Sequence, residues 1–138
     1  MPSDPRAILS DVFGHAAFQG LQAEVIEHLL TGGHAVVLSP TGSGKSICYQ
    51  VPALALPGMT IVLSPLIALM KDQVDALRAR GVAATFINSS LNRQAREARS
   101  REVASGAVKL LYVTPERFRK EAFREAIEAA RASVGISL

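Results

Sequence analysis

Ala35-Val36-Val37-Leu38-Ser39-Pro40-Thr41-Gly42-Ser43-Gly44-Lys45-Ser46 is the stretch that decides how this chain reads. Its first four residues form a continuous apolar run, the pattern of a strand covered on both faces. A loop of small residues follows, and then apolar positions that predict a helix to about residue 56. This order of strand, glycine-rich loop and helix suits phosphate. Gly42 and Gly44 let the backbone take positive φ and turn N–H groups toward an anion. The following helix adds the positive end of its dipole. Lys45 is placed to reach β and γ phosphates, and the Ser46 hydroxyl to ligate Mg²⁺. Ser39 stands where the strict G-x-x-x-x-G-K-[ST] pattern has its first glycine. The strand-loop-helix context still favours a nucleotide site over a plain turn with an exposed lysine.

The same alternation continues outward. Asp4-Pro5 starts a short helix to about residue 12, a polar cap followed by proline. A second helix is predicted over 20–30, with Leu21, Val25, Ile26, Leu29 and Leu30 on one face and Thr31-Gly32-Gly33 ending it. Further buried strands are predicted over 59–63, 84–87 and 108–113, and helices over 65–80, 92–104 and 119–132. Residues 136–138 read as the beginning of another strand. This predicts an α/β fold, a parallel sheet with helices on both faces and right-handed connections. There is no internal repeat, linker or low-complexity segment.

The composition agrees. The chain has 138 residues, the size of one domain, and is 49% hydrophobic but only 5% aromatic, which suits an aliphatic core. Its net charge of +3 is uneven. Through Met70, Arg6 and Lys45 face Asp4, Asp11, Glu24 and Glu27, a balance of −2; the remainder carries +5. A basic second half is compatible with a phosphate-backbone surface, although solvated helix faces explain charge alone as well. Arg93, Arg96, Arg99 and Arg101 read as such a face. Residues 46–70 carry no formal charge, but Pro52, Pro57, Gly58 and Pro65 break that stretch, which argues against a membrane span. The single cysteine, Cys48, cannot form an internal disulfide, and residues 1–10 lack a signal-peptide apolar stretch. A cytoplasmic protein is expected. His15, His28 and His34 have no metal-ligand spacing.

Several segments together resemble one family. Pro40 to Gln50 is similar to the RecQ version of helicase motif I. Ser64-Pro65-Leu66-Ile67-Ala68-Leu69-Met70-Lys71-Asp72-Gln73 resembles motif Ia of that family, and Thr114-Pro115-Glu116-Arg117 resembles motif Ib. Phe18 and Gln22 match its upstream adenine-reading motif, and Phe86 to Leu91 (FINSSL) its strand-end segment. These elements occur in family order from about Phe13 to Leu138.

The resemblance implies a RecA-like P-loop fold, incomplete here, forming the N-terminal portion of the first motor domain of an ATP-dependent DNA helicase. It implies ATP and Mg²⁺ as cofactors. Phe18, Gln22, Thr41, Gly42, Ser43, Gly44, Lys45 and Ser46 would be at the nucleotide, with Lys45 and Ser46 serving catalysis and Ser46 the metal. Ser64, Pro65, Lys71, Thr114, Pro115 and Arg117 would lie at the nucleic acid. A carboxamide at Gln22 can donate and accept in the pattern that reads adenine. The implied partner is DNA, a single strand or fork, with 3′ to 5′ translocation and roles in repair and recombination. Bacterial cytoplasm or nucleoid, or a eukaryotic nucleus, would be the setting.

Two departures matter. Gln19 replaces the family's usual arginine, so a charge near the nucleotide is lost. The Asp-Glu-Ala-His motif, expected after a strand beginning near Ile136, does not occur in the chain, nor does a second motor domain with its arginine finger. On this reading the chain is a fragment that binds nucleotide and nucleic acid without unwinding, with strands left as unprotected sheet edges. The other readings are a DEAD-box RNA helicase fragment, disfavoured because Ser64 to Leu69 replaces that family's Pro-Thr-Arg-Glu-Leu, and a non-catalytic ATP- or nucleic-acid-binding module.

Overall fold

The computed structural model describes residues 4–38 and 44–138, in two compact units, Met1–Leu56 and Pro57–Leu138. The expected residues Thr41, Gly42 and Ser43 lie outside the described residues.

The first unit is helical. Helix α1 (Pro5–Asp11) starts as its sequence predicts: the Asp4 carboxylate accepts the Arg6 N–H at 3.0 Å and Pro5 fills the first turn. Helix α2 (Gln22–Leu30) ends at Thr31, with Gly32 at φ +88°. Both pack on helix α3 (Ile47–Ala55), whose Val51 and Ala53 are fully buried. One expectation fails here. Residues 35–38 form no strand, and Val36 and Leu38 are 89% and 91% exposed. A parallel strand exists only through its ladder neighbours, and these four residues have none among the described residues. Their apolar run records a capacity for burial without supplying a partner.

The second unit contains the sheet: β1 (Thr60–Leu63), α4 (Ile67–Ala79), β2 (Ala84–Ile87), α5 (Arg93–Ala104), β3 (Leu110–Val113), a 3₁₀ turn (Pro115–Arg119) and α6 (Glu121–Ser133). The strands are parallel in the order β1-β3-β2, with Leu63 and Ile87 both opposite Val113. Right-handed crossovers put α4 on one face and α5 and α6 on the other, because the second and third connections run back across the sheet. The core agrees with that. Met59, Ile87, Leu111 and Val113 cluster with Val103 of α5 and Phe123, Ile127 and Ala130 of α6. The strand expected near residue 136 begins to pair along β1. Met59 and Ile136 form a parallel bridge, and the Ile61 N–H donates to the Leu138 carbonyl at 3.0 Å. Gly58 permits this approach, since a Cβ there would stand 2.7 Å from the Gly135 carbonyl oxygen.

Two helix starts move inward from their expected positions. Helix α4 begins at Ile67 rather than residue 65, because the Ser64 hydroxyl accepts the Leu66 N–H at 3.1 Å and holds a turn there. Helix α6 begins at Glu121 because Pro115–Arg119 forms a separate 3₁₀ turn. The charge-free stretch is divided among α3, the Pro57-Gly58 turn, β1 and the start of α4, and among the described residues no helix is long and apolar enough to cross a membrane.

Candidate functional site

In the first unit the start of α3 and the start of α2 meet. Gly44 has φ +80°, the left-handed conformation its place in the loop predicts. Its carbonyl accepts the Gln22 Nε2–H at 3.1 Å, while Gln22 Oε1 accepts the Gln19 N–H at 2.8 Å. The carboxamide expected to read adenine therefore bonds within the chain at both ends, and those bonds must be exchanged before it can read a base. Beside it is a cavity of about 320 Å³ lined by Gln22, Val25, Leu38, Gly44, Lys45 and Cys48. Lys45 is exposed. The Ser46 hydroxyl makes no capping bond at the start of α3. Burial pushes the Cys48 thiol above its ordinary pKa of 9.0, away from reactivity. Phe18 is half-buried and is not among the residues lining this cavity. Gln19, the position where the family's charge is lost, does line it; Val37 lines it too, which motif reading missed, its sole signal being proximity in sequence to the loop.

In the second unit the two strand-end turns are neighbours. The Ser64 N–H, just after β1, donates to the Val113 carbonyl at 3.0 Å, one residue before Thr114. Two turns that are 50 positions apart in sequence thus share the carboxyl edge of adjacent parallel strands, where open α/β sheets bind ligands. Pro65 and Pro115 are exposed, Thr114 is buried, and Arg117 is half-buried. Helix α4 has no side-chain cap, which leaves the N–H groups of its first turn for an external acceptor. Lys71 lies one turn along α4, its Nζ 2.6 Å from Asp75 Oδ2. That hydrogen bond, with the carboxylate charge, raises the Lys71 pKa above 10.5.

Comparison with known proteins spans residues of both units. A DEAD/DEAH box helicase family model matches residues 19–134. The chain belongs to that family. Its likeness within the helicase family is to RecQ helicases. It is 46% identical over 91% of its length to the ATP-dependent DNA helicase RecQ of Haemophilus influenzae, and 48% identical over 81% to that of Bacillus subtilis. The rat ATP-dependent DNA helicase Q1 is 40% identical over 82% of the chain. The chain spans about a fifth of the length of these relatives. The helicase match covers the Gln19–Gln22 turn, the phosphate loop and both strand-end turns. The fold class is accordingly the RecA-like α/β one, with a parallel sheet of three strands among the described residues.

Proposed function

We propose that this chain is the ATP-binding and strand-holding part of a RecQ-type, ATP-dependent DNA helicase. The observation that carries the reading is the adjacency of the Ser64 and Thr114 turns at one sheet edge, fixed by the Ser64 N–H to Val113 carbonyl bond. Two such turns can grip successive phosphates of one strand without reading its bases. Helix α4 offers N–H groups, and Lys71 and Arg117 offer charge. The relatives' printed names, ATP-dependent DNA helicases, support DNA over RNA, as does the Ser64 to Leu69 sequence.

ATP would lie on the loop before α3. Lys45 would offset charge on the β and γ phosphates, and the α3 N-terminus would face the anion. Mg²⁺ would supply positive charge that offsets charge on the phosphates. Ser46 fits as one of its ligands, because its hydroxyl is not used in capping α3. In the whole protein, ATP binding and hydrolysis would close and open two motor domains and so move one strand.

Titration of the chain with a fluorescent ATP analogue and Mg²⁺ tests the nucleotide half. Saturable binding that Lys45→Ala abolishes is the expected result. Absence of binding by a chain whose circular dichroism and melting show it folded would sink the reading. A 2′-hydroxyl that strengthens strand binding would turn the substrate to RNA.

A further inference from the structure

Strand β2 ends the sheet of the second unit, since the strand order is β1-β3-β2. Its inner side is taken: the Lys109 and Leu110 N–H groups donate to the Ala83 carbonyl at 2.7 and 3.3 Å. Backbone groups alternate in direction along a strand, so those of Ala84 and Phe86 point outward. Such an edge invites another strand. The sequence strengthens the invitation, because residues 82–92 carry no charge, proline or glycine, and Thr85, Phe86 and Ile87 favour strand. No lysine or proline on β2 itself deters pairing.

The deterrent comes from the flanking helices. Arg78 of α4 donates from Nε to the Ala84 carbonyl at 2.7 Å, and from a terminal nitrogen to Thr85 Oγ1 at 3.2 Å. Arg99 of α5 donates to the Phe86 carbonyl at 2.9 Å and lies over the Phe86 ring at 4.4 Å. The Ala84 N–H turns back to the Val82 carbonyl at 3.0 Å. Three of the four outward groups of Ala84 and Phe86 are thus bonded already, the Phe86 N–H being the fourth. Each guanidinium also crosses to the far face. Ile87 packs with α5 and α6, so Thr85 shares their side and Phe86 takes that of α4. Arg78 therefore reaches from α4 around the edge to Thr85, and Arg99 from α5 around it to Phe86. Burial first, then the neighbouring Arg78 charge, holds the Arg99 guanidinium below its ordinary pKa.

We propose that the outer edge of β2 is a latent self-association surface, kept shut by Arg78 and Arg99 against a second copy of this chain. The occupant is a copy because two identical edges related by a twofold axis can satisfy each other's outward groups, and an uncharged strand suits an uncharged one. With the guanidiniums in place, pairing would break both carbonyl bonds in each chain and bring like charges together across the new ladder. The inference is independent of the nucleotide and strand-holding readings.

Sedimentation velocity and NMR-detected amide exchange, both over a concentration series of the 138-residue chain, test this. Arg78→Met with Arg99→Met keeps the stems and removes the donors, while Arg6→Met with Arg131→Met makes the same change away from the edge. The edge pair is expected to rise in mass above wild type, toward two chains, as its concentration increases. Its Phe86 amide should exchange on the order of tenfold more slowly at high concentration than at low. In wild type and in the control pair, exchange of that amide should be indifferent to concentration. Melting curves verify that each variant is folded; should the edge pair not fold, Arg99→Met alone is read in its place. No gain in mass over wild type, an equal gain in the control pair, or a gain without protection at Phe86 overturns the proposal. So does a Phe86 amide in wild type that grows more protected with concentration, because the edge would then be open with both arginines present.

Discussion

At Gly44 two constraints meet in one residue. Its φ of +80° favours glycine, and a Cβ there would stand 2.5 Å from Gln22 Nε2. The side chain can move, but the backbone cannot change hand without moving the loop. Gly44→Ala is expected to cost about 1–2 kcal/mol and to weaken binding of a fluorescent ATP analogue. Adding Gln22→Ala removes the clash but leaves the φ cost, so binding should recover only in part. Lys71 gives a second prediction. Its raised pKa comes first from its hydrogen bond with Asp75, and a raised folded value means that the pair's contribution is complete at neutral pH and is lost only as pH rises past 10.5. The ammonium is thus charged but occupied. Asp75→Asn should free it and tighten oligothymidine binding by about two- to fivefold at low salt, with the melting temperature little changed. A looser complex would show that Asp75 positions Lys71 rather than competing for it.

The elements are held by signals of unequal strength. Helix α5 begins at a side-chain cap: Asn92 Oδ1 accepts the Ala95 N–H at 2.8 Å. Asn92→Ala should lower stability by about 1 kcal/mol in urea denaturation. The loss should be visible because α5 buries so little, Val103 being its one buried residue. Arg99 of the same helix spends its charge inside the fold, over the Phe86 ring at 4.4 Å and bonded to the Phe86 carbonyl at 2.9 Å. It therefore does not belong with Arg93, Arg96 and Arg101, although charge pattern alone treats the four alike. The segment at 35–38 is the converse case. Its apolar run reads as a strand, yet a strand requires pairing that an apolar run does not encode.

The second unit as a whole depends on the layer between its sheet and α5 with α6. Leu111 of the central strand is fully buried there. Leu111→Ala is expected to cost about 2–5 kcal/mol, from lost burial and the cavity left behind. Leu66→Ala, at a position 59% exposed, should stay within about 0.5 kcal/mol. Denaturant midpoints for the two variants test the assignment of core and surface; comparable losses would contradict it. Sequence alone determined the alternation of helix and strand from β1 onward, the cap at Asp4 and the family likeness, because periodicity and turn chemistry act over a few neighbouring residues. Only the tertiary structure decided the strand order β1-β3-β2, the meeting of Ser64 with Val113, and the bond from Gln22 to Gly44. It also decided which arginines of α5 face Arg117. These depend on contacts between distant residues, such as Lys109 Nζ on the Gly58 carbonyl across 51 positions. Such contacts form only when the whole layer packs, and no local pattern carries them.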